Sequence, residues 1–146
     1  MEKLEVKASV NELEQVQSFV RQELEKYGCS DEAVAMQLEM AVEEIFVNIA
    51  HYAYNPKGSG TATISCGLQE DLMQVVIQFL DKGAPYNPLE KQDPDVTLDA
   101  GEREIGGLGI FMVKKSMDQV DYTYENGKNI LTIHKNIVSD SQAQKR

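Results

Sequence analysis

The sequence predicts an α+β fold: a two-layer sandwich in which three helices cover one face of a mixed, mainly antiparallel sheet. Three observations predict it. Two long segments with helical apolar spacing follow a short alternating strand, and two pairs of β-rich runs are each joined by a polar turn. The chain of 146 residues, 42% apolar and 26% charged, is sized for one domain. A chain of this length buries about 70% of its unfolded surface and needs no disulfide or metal to fold.

Leu4, Val6 and Ala8 alternate with Glu5 and Lys7 as a half-buried strand does. Asn11 can cap a helix running to about Tyr27, with Leu13, Val16, Val20 and Leu24 on one face and Gly28 ending it. Ser30 or Asp31 caps a longer helix that reaches toward Tyr54, where Asn55-Pro56-Lys57-Gly58 closes it. At about 100° per residue, Val34, Leu38, Ala41, Val42, Ile45, Ile49 and Tyr52 form its buried stripe. Thr61 to Leu68 and Leu72 to Leu80 are rich in Thr, Ile and Val and pair around the polar Gln69-Glu70-Asp71 turn. Residues 82–106 hold three of the four prolines and no period, the pattern of a lid or binding loop. Helical spacing returns from Gly107 to Met117, and strands Val120 to Glu125 and Ile130 to Asn136 flank Asn126-Gly127, a hairpin signal. The domain is expected over residues 1–138, with the Ser- and Gln-rich stretch 139–146 as a flexible tail.

A net charge of −10 repels a phosphate backbone, which argues against nucleic acid as a partner. No apolar run is long enough to span a bilayer and the N-terminus lacks a signal-peptide core, so a cytoplasmic protein without membrane contact is expected. Cys29 and Cys66 lack ligand spacing and are expected as free thiols. His51 and His134 do not group with cysteines or carboxylates, which supports neither a zinc site nor a triad. Tyr122 and Tyr124 fit strand packing.

Three short motifs could carry chemistry. Glu44 and Asn48 lie four apart on one flank of the second long helix, where the carboxylate could accept a proton and the amide oxygen could serve as a hard ligand for Mg²⁺. A solvated glutamate and an asparagine bonded to backbone would share that spacing. Asp81-Lys82-Gly83-Ala84-Pro85 follows a strand, so Asp81 can point into a cleft and a flat ligand could lie against Gly83; a plain turn has the same composition. Gly106-Gly107-Leu108-Gly109 precedes a helix whose free N–H groups would attract an anion, or it is a hinge. Neither GxGxxG nor GxxxxGK[ST] is present.

Together and in this order, Glu44-Ile-Phe-Val-Asn48-Ile-Ala-His51, Asp81-Lys-Gly83-Ala-Pro85-Tyr-Asn-Pro88 and Gly107-Leu-Gly109 resemble the Bergerat-fold (histidine kinase-like) ATPases, and among them the anti-sigma factor serine kinases. The resemblance covers about residues 4–137. It implies ATP and Mg²⁺ as cofactors, Glu44 as catalytic base, Asn48 as metal ligand and Asp81 as acceptor of the adenine amino group. Gly83 would back the adenine, and Gly107 and Gly109 would form the lid base at the phosphates. Selection of adenine follows, because guanine presents a carbonyl where Asp81 needs a donor. The sequence departs from the pattern in three places. Ile105 stands where an arginine usually precedes the lid glycines, leaving Arg103 further out as the cation for the γ-phosphate. Lys128-Asn129 replaces a Gly-Thr pair, which shifts a hydroxyl contact to Thr132. Asn11 to Val20 contains no Lys or Arg to hold a partner.

The function so implied is an ATP-dependent protein serine kinase acting as an anti-sigma regulatory factor. It would phosphorylate a small antagonist protein, sequester a sigma factor in its other state, and work as a homodimer. An ATP-gated binding module without kinase activity, or a simple ATP hydrolase, would use the same residues, since a base for a serine hydroxyl also activates water.

Overall fold

The computed structural model describes residues 1–54, 60–90 and 107–137. The expected helix-closing residues 55–58, the stretch 91–106 within the expected lid, and the tail 139–146 lie outside the described residues.

Strand β1 (Glu2–Lys7) leads into helices α1 (Leu13–Lys26) and α2 (Glu32–Asn48); then come β2 (Thr61–Gln69), β3 (Gln74–Asp81), α3 (Gly107–Ser116), β4 (Gln119–Glu125) and β5 (Lys128–Asn136). Among the described residues five strands form one sheet in the order β1-β2-β3-β5-β4, and every pairing of neighbours is antiparallel. The sheet is thus not mixed. Both pairs of neighbouring strands joined by short turns are hairpins, and β1 meets β2 after a helical excursion that reverses the chain; β3 and β4, joined through α3, run in the same direction, but β5 lies between them, so no two adjacent strands are parallel.

Local chemistry sets the element ends. Ser9, not Asn11, opens the first helical segment: its extended backbone lets Oγ accept the Asn11 N–H at 3.3 Å, and a 3₁₀ turn (Val10–Glu12) precedes α1. Asp31 caps α2, taking the N–H groups of Ala33 and Val34 at 3.0 and 3.3 Å. Asn126 and Gly127 have φ of 54° and 76°, the left-handed pair that matches strand twist in a two-residue hairpin. Met73 also has positive φ, so the first hairpin turn extends to it and β3 begins at Gln74 rather than Leu72.

The core lies between the helices and one sheet face. Val16, Val20 and Leu24 of α1 and Leu38, Ala41, Val42 and Ile45 of α2 are buried against Ile64 and Cys66 of β2, Ile77 and Phe79 of β3, and Ile133 of β5. Two positions, one on α2 and one just past it, differ from the expected stripe. Phe46 is fully buried because α2 packs between α1 and α3 and so covers more than one stripe. Tyr52 is 60% exposed, since the helix continues past Asn48 as a π-turn (Ile49–Ala53), whose wider spacing breaks the 3.6-residue period. Both cysteines are free, Cys66 buried and Cys29 half-buried.

Candidate active site

Side chains alternate along β3, so the buried row Val75, Ile77 and Phe79 ends at Asp81, which is 5% exposed. On β5 the row Ile133 and Leu131 ends likewise at Asn129, 7% exposed. The register sets Asp81 directly opposite Asn129. An apolar sheet face thus terminates in a polar pair at the floor of a cleft of about 530 Å³, counted to its open mouth, within the range of small-molecule sites. Ile45, Asn48 and Ile49 of the helix layer form one wall, Ile110 of α3 another, and Tyr86 and Tyr122 stand at the sheet side.

The pair is tightly bonded. Asp81 Oδ1 accepts the Gly83 N–H at 2.9 Å and Asn129 Nδ2–H at 2.9 Å. Asn129 Nδ2 also donates to the Ala84 carbonyl at 2.9 Å, and its Oδ1 accepts from the Tyr86 N–H at 3.0 Å and from the Tyr122 hydroxyl. Burial pushes the Tyr122 phenol up from its ordinary value, which keeps the donor proton in place. Tyr54 closes the end of the π-turn: its hydroxyl donates to the Thr61 carbonyl at 2.6 Å and accepts the Lys82 N–H at 2.8 Å.

One turn before Asn48 on α2, Glu44 faces α3. Asn48 Nδ2 donates to Glu44 Oε1 at 3.3 Å, which leaves the amide oxygen of Asn48 unused by that bond. A Cβ built on Gly109 would stand 2.0 Å from the Glu44 carboxyl carbon, so the carboxylate occupies the space that a side chain at 109 would need. Glu44 and Gly109 share a groove between α2 and α3 with the exposed Met40 and Met112. Successive residues of α3, Gly109 and Ile110, thus meet Glu44 and line the cleft respectively.

A sequence profile described as the histidine kinase-like ATPase domain matches residues 6–135. The chain belongs to that family. The serine-protein kinase RsbW of Listeria monocytogenes serovar 1/2a is 32% identical over 108 residues, covering 71% of this chain and 67% of that protein. RsbW of Oceanobacillus iheyensis is 30% identical over 115 residues, covering 73% and 68%. The serine/threonine-protein kinase BtrW of Bordetella bronchiseptica is 26% identical over 96 residues, or 66% of each chain. Among solved structures, that of the RsbU and RsbW domains of a Mycobacterium tuberculosis protein matches at a TM-score of 0.63 and 16% identity, over 94% of this chain and 33% of that one, a likeness of fold. Within the histidine kinase-like ATPases the chain groups with the anti-sigma serine kinases, whose enzyme class is protein serine/threonine kinase and whose phosphoryl donor is ATP.

Against the family pattern, the structure gathers Asn48 and Asp81 around one cleft and sets Glu44 and Gly109 in contact beside it. Two expectations need correction. Thr132 lies on the opposite sheet face, where Gln78 Nε2 donates to its hydroxyl at 3.4 Å, because it is odd in parity to Asn129, Leu131 and Ile133. Gly83 does not offer bare backbone in its side-chain direction: a Cβ there would stand 2.1 Å from the Ala53 carbonyl oxygen, so the glycine serves close packing of the π-turn. Gly107 is the first residue of α3, and Arg103 lies outside the described residues. Asn129 and Tyr122, expected respectively as a departure from pattern and as strand packing, instead stand at the cleft. His134 makes surface contacts to Gln74 and Asp121, and among the described residues no three His, Cys, Asp or Glu side chains group as a metal site. No helix among the described residues is long and apolar enough to cross a membrane.

Proposed function

We propose that the chain transfers the γ-phosphoryl group of Mg-ATP to a serine hydroxyl of a small antagonist protein, and that in its other state it sequesters a sigma factor, acting as a cytoplasmic homodimer. The observation that carries this reading is the hydrogen-bonded Glu44–Asn48 pair on one flank of α2, with Asn48 also lining the cleft whose floor is Asp81. On this reading a metal-ligating oxygen and a base-recognition carboxylate line the nucleotide cleft, and the proton acceptor stands beside it, one helical turn from Asn48.

The residues fit a magnesium ion. Mg²⁺ keeps several waters and binds through few protein oxygens plus substrate phosphates, and Asn48 supplies one amide oxygen that its bond to Glu44 leaves unused. When bound, the ion would neutralise charge on the phosphates, which matters for a protein of net charge −10.

The chain's own groups have separate tasks. Asp81 accepts the adenine amino group while Ile45, Phe79 and Leu131 exclude water around the base. The free N–H groups at the start of α3, from Gly107, meet phosphate oxygens. Glu44 accepts the proton of the attacking serine hydroxyl. Phosphoryl transfer depends on positioning and charge stabilisation more than on covalent chemistry, so these tasks suffice.

The test is incubation of the wild-type protein with γ-labelled ATP, Mg²⁺ and candidate antagonist proteins. Label on a serine supports the kinase, label appearing only as free phosphate supports a hydrolase, and bound but unconverted ATP supports a gated binding module.

A further inference from the structure

We infer that Asn129 is a positioning residue that sets the nucleotide's base selectivity by fixing which oxygen of Asp81 faces the ligand. The inference rests on the reading of Asp81 as the adenine acceptor and extends it to a residue on a different strand.

Asp81 Oδ1 is filled by two donors, the Gly83 N–H and Asn129 Nδ2–H, both at 2.9 Å. No described residue donates to Oδ2, and Asp81 lines the cleft. The carboxylate is therefore left with one acceptor for a ligand that brings an N–H.

Asn129 cannot turn its amide over. At one end Nδ2 meets a carboxylate and the carbonyl of Ala84; at the other Oδ1 meets the N–H of Tyr86 and the hydroxyl of Tyr122. Reversal would set carbonyl oxygen against two acceptors and the NH₂ group against a backbone donor, leaving buried polar groups unpaired. The same side chain ties down residues 84–86, the backbone that continues from Asp81 along the cleft. One amide thus fixes both the carboxylate and the loop behind it, and a 6-amino group on the purine is what the remaining oxygen accepts.

The test measures dissociation constants by calorimetry, with Mg²⁺ present, for ATP and for purine riboside 5′-triphosphate, which lacks only the 6-amino group. Wild type should favour ATP by about tenfold or more, the usual size of a hydrogen bond to a charged group. Asn129→Ala should weaken ATP by roughly tenfold and the analogue by less than about threefold, so that the preference collapses. Tyr122→Phe keeps the ring and removes one of the two donors holding Asn129 Oδ1; it should lower the preference about two- to fivefold with the fold intact. Asp81→Asn tests the underlying reading and should abolish the preference. Equal losses for both nucleotides in Asn129→Ala would assign the residue to packing alone and overturn the inference. So would an unchanged preference in Asn129→Ala while Asp81→Asn abolishes it. If Asn129→Ala does not fold, Tyr122→Phe decides, and an unchanged preference there overturns the inference. No preference in wild type, or none lost in Asp81→Asn, would overturn the Asp81 reading and this inference with it.

Discussion

Glycine at position 109 permits the Glu44 carboxylate to rest against α3, and this contact separates folding from chemistry. In Gly109→Ala the new Cβ would fall about where the carboxylate now lies, 2.0 Å from its carbon. The obstacle is the end of a flexible side chain, so Glu44 can swing aside at little cost, and alanine favours a helix over glycine by up to about 1 kcal/mol. The expected outcome is an unchanged or slightly raised Tm with phosphoryl transfer reduced by roughly 10²-fold or more, because a general base must stay within hydrogen-bond reach. Transfer at the wild-type rate would show that the resting place of Glu44 is immaterial.

A second residue-scale prediction concerns Cys66, whose thiol burial pushes from an ordinary value near 9 up to about 11. Below pH 9 the thiol is protonated in the folded and unfolded chains alike and its contribution is fully present. Between about 9 and 11 the unfolded chain releases a proton that the folded one retains, so stability falls, by at most roughly 3 kcal/mol. Burial also raises the neighbouring Tyr27 phenol, which extends the loss to higher pH. Urea melts at pH 8.5 and 10 should show this fall in wild type and a smaller one in Cys66→Ala; parallel pH dependence in the two would contradict it.

Among the elements, the π-turn at the end of α2 is built by close backbone approach. Gly83→Ala would press a methyl against the Ala53 carbonyl oxygen at 2.1 Å, and backbone at that spot cannot step aside as a side chain can. The variant should lose about 1–3 kcal/mol in denaturant melts, the usual cost of overpacking, and bind ATP more weakly as the cleft wall shifts. An unchanged midpoint would show the turn to be pliable.

This turn also marks where sequence pattern stops being informative. A constant 3.6-residue period places Tyr52 on the buried stripe, but nothing in the residue types Ile49 to Ala53 announces a change of helical pitch; the π-turn packs against Gly83. Asn129 is the opposite case. Its parity with Leu131 and Ile133 was available in the sequence and assigns it to the core face opposite Asp81, with Thr132 on the other. The period of two thus separates the amide at 129 from the hydroxyl at 132 on sequence alone.

For the whole molecule, element order and the helix-sheet layering were legible because hydrophobic periodicity, caps and the Asn-Gly turn agree with one another. Pairing partners across the sheet were less so, since register between distant strands depends on tertiary packing; hence the expected mixed sheet proved wholly antiparallel. The motif order brought Asn48 and Asp81 to one cleft, but not the contact of Glu44 with Gly109, which depends on how α3 docks on α2.

The central claim is that one flank of α2 supplies base and metal ligand for phosphoryl transfer to a protein, and Glu44→Gln tests it most directly, because the amide keeps the shape and removes the proton acceptor. The measurement is incorporation of labelled γ-phosphate into the antagonist protein at saturating ATP, beside the ATP dissociation constant of the same preparation. The account predicts ATP binding within about tenfold of wild type and transfer reduced roughly 10²- to 10⁴-fold. Transfer by Glu44→Gln at a rate near that of wild type would contradict it.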